Sequence, residues 1–349
     1  MRATAPRQIS LALQGGGAHG AFTWGVLDRL LDAPEFEVAA ISATSAGAMN
    51  AAAFKSGLLA NGRPGAKAAL ADFWHKMAGT GGPVPEFARA WIAALAPPLP
   101  VLSAMAEANP AYLAGSVLAQ AVSPYDTNPT NFHPLRGIVD QFDFNAIGAD
   151  HGPSLHIAAT NVRSGKIRVF TGAEITTDAI LASACLPTLY RAIEIPGPDG
   201  TSEAYWDGGY MGNPALFPLY TAPSQDILIV HINPITRPDI PKTAADIQNR
   251  INEISFNATL LRELRAIEFV QRLLDQNAVP ETEKRRLRIH SVADDATMTQ
   301  IGVATKLSPN PALISRLHDA GYAAMDRFLH AHGDRIGIEG SCDLREMFA

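Results

Sequence analysis

ISLALQGGGAHGAFTWGVLDRLL, residues 9–31, reads as a strand, a glycine turn and a helix in direct succession. Ile9, Leu11 and Leu13 alternate with small or polar residues, the two-residue period of an extended chain with one buried face. Gly15-Gly16-Gly17-Ala18-His19-Gly20 breaks that pattern, and Phe22, Val26, Leu27, Leu30 and Leu31 then recur at the spacing of one helical face. A second unit of the same kind follows: Val38–Ala43 as a buried strand, Thr44–Gly47 as the turn, Ala48–Ser56 as a helix of small residues. Consecutive units of this kind predict parallel strands joined by right-handed crossovers, with their turns opening at the same edge of the sheet.

From about Gly62 to Asn131 the alternation stops, and Pro, Ala and aromatic residues accumulate. We read 62–131 as a helical insertion covering the sheet, with helices at Ala66–Met77 and Glu86–Leu95. Regular alternation then returns. Leu155–Thr160 and Ile167–Phe170 read as strands, Thr177–Ala184 as a helix and Ile227–Ile232 as a buried strand. A long amphipathic helix is predicted over Thr243–Gln276, a strand over Arg286–Val292 and a closing helix over Pro311–His332. The expected architecture is a three-layer α/β/α fold around a mostly parallel central sheet. Residues 8–235 form its main domain, and 236–349 add helices and a strand to that same domain.

The chain has 349 residues, 47% of them hydrophobic and 18% charged, with a formal charge of -6. This profile excludes a disordered or fibrous chain, and the length suits one large α/β domain with an insertion. The densest cationic stretch, Lys284-Arg285-Arg286-Leu287-Arg288, follows Glu281 and Glu283 and leads into an apolar alternation. A solvated strand entrance is the plain reading, with a lipid-headgroup contact as the alternative. No nucleic-acid partner is expected. Cys185 and Cys342 stand far apart and suggest neither a disulfide framework nor a metal site, and Cys185 is expected to be a buried apolar residue. Met1–Gln8 lacks the apolar core of a secretory signal. Apolar runs such as Ala90–Leu102 are too short to span a bilayer and are interrupted by Pro97, Pro98 and Pro100. The expectation is a cytoplasmic protein without a transmembrane helix, with peripheral contact at a membrane left open. No metal and no cofactor are expected.

Ala43-Thr44-Ser45-Ala46-Gly47 is where chemistry enters. A serine on a sharp strand-to-helix turn presents its Oγ beyond the end of the sheet, and small neighbours let strand and helix approach. The usual form is Gly-x-Ser-x-Gly, and Ala43 takes the first glycine's place. The glycine loop matches Gly-x-Gly-x-x-Gly, which also serves dinucleotide binding. That use wants an acidic residue at the end of the second strand, whereas Glu35 and Glu37 precede it. The other use is an oxyanion hole, in which consecutive amides at a helix start converge on developing negative charge. A serine also needs a base. His19, His156 and His231 keep a histidine triad open, but Asp207 in Tyr205-Trp206-Asp207-Gly208-Gly209 is the stronger candidate, against its plain reading as a turn-former.

Gly15–Gly20, Ala43–Gly47 and Asp207-Gly208-Gly209, in this order, resemble the patatin-like phospholipases over about residues 8–235. Leu181-Ala182-Ser183-Ala184-Cys185-Leu186-Pro187 resembles the Ala-Ser-x-x-x-Pro segment that precedes the aspartate loop there. The resemblance implies a Ser–Asp dyad with Ser45 as nucleophile and Asp207 as base. It further implies an oxyanion hole on the loop Gly15, Gly16, Gly17 and Ala18, and motif support from Gly20, Ala43, Gly47, Gly208 and Gly209. There are two departures: Ala43 replaces a glycine, and His19 stands where the family usually has Lys or Arg. The implied activity is hydrolysis of lipid or other acyl esters without a cofactor. A catalytically silent scaffold that binds lipid or protein is the alternative, with Ala43 as its one hint. In the insertion, Phe87, Trp91, Ile92 and Leu95 make an apolar face that suits either core packing or a lid over an acyl chain.

Overall fold

β1 (Arg7–Leu13) lies at the middle of an eight-stranded sheet, between β2 (Phe36–Ala43) and β7 (Asp226–Val230), parallel to both. The computed structural model describes residues 5–79, 97–110, 112–114, 122–197 and 200–348. β8 (Arg288–Val292) extends the sheet beyond β7, and β3 (Ser154–Asn161) continues it beyond β2, both in parallel. β4 (Ile167–Thr171) and β6 (Ser202–Asp207) run antiparallel to β3, and β5 (Ile193–Pro196) pairs with β6.

The two-residue period of β1 divides the core. Ile9, Leu11 and Leu13 join one apolar cluster, while Ala12 joins a second on the opposite face of the sheet. The first cluster is closed by α1 (Ala21–Leu31), the start of α2 (Ala46–Met77), α3 (Thr177–Ser183) and α6 (Pro311–His332). Leu260, Leu264 and Ile267 of α4 (Ala244–Asp275) close the second. The result is the expected three-layer architecture. α6 ties the end of the chain to its beginning. Gly25 of α1 and Gly321 of α6 face each other's helix so closely that a Cβ on either would overlap a backbone carbonyl, of His318 or Phe22. Arg29–Asp326, at 2.7 Å, and His318 Nε2 to Asp28, at 3.1 Å, flank the crossing.

The helices expected at Ala48–Ser56 and Ala66–Met77 are the two limbs of α2, which breaks at Asn61 and Gly62 just before Pro64. The expected helix Glu86–Leu95, with Phe87, Trp91, Ile92 and Leu95, lies outside the described residues. Arg285, Arg286 and Arg288 of the basic run are each engaged within the fold, with carbonyls of residues 220–223, with Asp275 and Glu281, and with Asp226 respectively. Among the described residues no helix is long and apolar enough to cross a membrane.

Candidate active site

β3 acts as a splint between Ser45 and Asp207. Its residue Ile157 stands opposite Ala43, the last residue of β2, and Ala159 stands opposite Asp207, the last residue of β6. Two positions along a strand span ~6–7 Å. The turn leaving β2 and the end of β6 are thereby delivered to one place, where the Ser45 hydroxyl acts on the Asp207 carboxylate and favours its ionised form.

Ser45 has φ 55° and ψ -122°, a region that residues with a side chain rarely adopt. Such a conformation costs on the order of 1–3 kcal/mol and persists only where surrounding bonds impose it. Here Ser45 N–H donates to Ser183 Oγ at 2.8 Å, and Thr44 Oγ1 donates to the Gly212 carbonyl at 2.6 Å. The strain sits at Ser45 and not at Ala43, which is an ordinary buried strand residue, so the methyl group in place of the first glycine is accommodated. Gly47 is needed for close approach, because a Cβ there would overlap the Leu13 carbonyl of β1.

Asp207 is 2% exposed. Burial pushes it up to about 7, against the opposing pull of the Gly209 amide, which donates to Oδ1 at 2.7 Å, and of the Ser45 hydroxyl. A base poised near neutrality is where proton transfer is most efficient. Its backbone is fixed on both sides: Asp207 N–H donates to the Cys185 carbonyl at 2.8 Å, and Thr160 Oγ1 donates to the Asp207 carbonyl at 2.9 Å. Gly208 lies against the backbone of Ala158, where a side chain would overlap its carbonyl. Burial also raises the neighbouring Cys185 thiol and Tyr210 hydroxyl to about 12 each, so both stay protonated.

The glycine turn follows β1 and lies beside Ser45, because Leu13 is in register with Ala43. Gly15 was expected among the oxyanion donors, but its N–H is taken by Asn213 Oδ1 at 2.6 Å. Gly15 is instead the seat of the serine, since a Cβ there would come within 2.6 Å of Ser45 Cβ. The amides of Gly16, Gly17 and Ala18 find no acceptor among the described residues, and they open the helical path into α1. Gly17 has φ 60° and packs beneath the Lys306 carbonyl, so glycine is required there on both counts. Gly20 brings the turn against α2, with its Cβ position 2.7 Å from Ala46 Cβ.

Four buried amide side chains hold this turn. Gln14 Oε1 accepts from the Ile232 and Asn233 amides at 2.9 and 3.0 Å, and Gln14 Nε2 donates to Asn257 Oδ1 at 3.0 Å. Asn233 Nδ2 donates to the Gly15 carbonyl at 2.8 Å. Asn213, Asn233, Asn257 and the serine-holding Ser183 were not singled out as site residues. The only signal for the first two is an asparagine before proline at the end of a strand or turn.

His19 does not face the site. It is buried with Nε2 2.6 Å from Thr305 Oγ1, and burial together with Lys306 and Arg237 keeps it well below its usual range, hence neutral. His231 is buried and lowered to about 4, and His156 lies in β3, its ring 3.4 Å from Ser154 Oγ. Among the described residues no histidine hydrogen-bonds Ser45 or Asp207.

A family model described as patatin-like phospholipase matches residues 11–220. Among solved structures, VipD from Legionella pneumophila superposes with a TM-score of 0.40 at 14% identity, covering 94% of this chain and 68% of that chain. No curated protein matches the sequence.

Proposed function

The chain belongs to the patatin-like phospholipase family, and from that premise we propose that it cleaves carboxylic esters of lipids through an acyl-enzyme on Ser45. Hydrolysis of lipid acyl esters is the family's general activity. In the mechanism we propose, Ser45 Oγ attacks the ester carbonyl while Asp207 takes the hydroxyl proton. The amides of Gly16, Gly17 and Ala18 receive the oxyanion. Collapse of the tetrahedral intermediate breaks the ester bond, and Asp207 returns the proton to the departing alcohol. Water then gives its proton to Asp207 and attacks the acyl-Ser45 carbonyl. The fatty acid leaves as Ser45 recovers its proton. A lipid substrate also implies an encounter with a lipid surface at the mouth of this site.

The observation that carries the reading is a serine held at positive φ beside a buried carboxylate that is raised to about 7 and that the serine hydroxyl acts on. The silent-scaffold alternative loses its one hint, because Ala43 sits in an unstrained strand. Hydrolysis of a p-nitrophenyl acyl ester tests the dyad. Ser45→Ala and Asp207→Asn are each expected to lose ~10³-fold or more. Retained turnover by folded Asp207→Asn would remove the aspartate from its role.

A further inference from the structure

The matched interval ends at residue 220, yet the glycine turn is held in large part by residues beyond it. α5 (Val303–Lys306) lies directly on the turn. Lys306 Cβ is 3.4 Å from the Cβ position of Gly17, and His19 meets Thr305 of the same short helix. The half-buried Lys306 side chain then runs along the back of the turn, where Nζ donates to Asn233 Oδ1 at 3.0 Å. Lysine is a donor only, so it selects the orientation of the Asn233 amide that points Nδ2 at the Gly15 carbonyl. A trans peptide is planar, so fixing the Gly15 C=O fixes the opposite direction of the Gly16 N–H. A chain of two hydrogen bonds thus joins the ammonium to the aim of the first free amide.

We propose that Lys306 is a positioning residue of the oxyanion turn, acting through Asn233 to orient the Gly16 amide and placing a positive charge behind the Gly16 and Gly17 amides. Its effect on rate rests on the Ser45–Asp207 reading, whereas its effect on the turn does not. The residues beyond 220 are then part of the catalytic unit, and a cation returns to the turn in which position 19 is a neutral histidine. The charged groups facing Lys306 are Glu253 and Arg237, with His19 neutral beneath it. Glu253 is itself held by Arg237 at 2.7 Å and Arg250 at 3.3 Å, and Asp246 and Asp295 face Arg237. Burial and Arg237 bring Lys306 down to about 8, against the pull of Glu253. The cation is therefore present below about pH 8 and lost above it.

The test joins a rate profile to a readout that needs no turnover. For a neutral p-nitrophenyl ester, kcat/KM of the wild type should rise as Asp207 ionises near 7 and fall again above about 8. Lys306→Arg should abolish the alkaline fall while keeping the rate. Lys306→Gln should also lack the fall, at a rate lowered roughly ten-fold. An alkaline fall that persists in both variants overturns the inference. In parallel, the Gly16 and Gly17 amide signals of 15N-glycine-labelled wild type should titrate with a midpoint near 8. Signals that stay still across that range overturn the inference whatever the rates, and even if a variant fails to fold. If they titrate while the wild type hydrolyses no ester, the hydrolase reading falls and the role of Lys306 in the turn stands.

Discussion

Replacing Asp207 by asparagine should make the protein more stable as it destroys turnover, and the gain should grow with pH. The unfolded carboxyl ionises near its ordinary 3.8, whereas the native one keeps its proton to about 7 because water is excluded around it. Between these values the native state binds one more proton than the unfolded state. Its stability therefore falls as pH rises, by ~1.36 kcal/mol per pH unit. The carboxamide of the Asp207→Asn variant has no proton to lose, so it escapes this slope while keeping an Oδ1 acceptor for the Gly209 amide. All other titrating groups are common to both proteins and cancel in the difference. From pH ~5 to pH ~8 the variant should gain on the wild type by about 3 kcal/mol, most of it below pH ~7. Urea unfolding of both proteins at several pH values across that window measures the gap. A gap that stays constant to within about 0.5 kcal/mol would mean that the carboxylate is hydrated, and the account of its basicity would fail with it.

Gly15→Ala should fold and yet lose ~10²-fold in kcat/KM, because its Cβ would come within 2.6 Å of Ser45 Cβ and push the nucleophile off line. A p-nitrophenyl ester assay checks this, and a wild-type rate would show that Ser45 is not seated on Gly15. Asn213→Leu removes the acceptor of the Gly15 amide and leaves a buried donor unpaired, which should lower stability by about 1–3 kcal/mol in urea unfolding. An unchanged midpoint would argue that this bond does not hold the turn.

The parts of this site that could be read in sequence are those whose cause is local. The two strand–turn–helix units announce themselves because the period changes from two to 3.6 residues across a glycine turn, and parallel neighbours then bring Gly15–Gly20 beside Ser45. β5 and β6 escaped notice for a physical reason. They are short antiparallel strands near the sheet edge, where burial alternates only weakly, so Asp207 read as part of a loop when it ends a strand. The role of Gly15 was misjudged because its partner Asn213 lies 198 residues further on, and no spacing rule reports such a pairing. The residues beyond 220 place Asn233, Asn257 and Lys306 at the turn, but their chemistry is that of ordinary polar side chains until the fold buries them together. Lys306 in particular belongs to a four-residue helix with no motif of its own.

The central claim is that Ser45 is an activated nucleophile. A fluorophosphonate probe measures this directly, since it phosphonylates only a serine whose hydroxyl is deprotonated on attack and whose oxyanion is stabilised. After incubation with the wild type, peptide mapping by mass spectrometry should find the adduct on Ser45 and nowhere else, and Ser45→Ala should remain unlabelled. An unmodified Ser45 in folded wild-type protein, or an adduct on a different residue, would contradict the account.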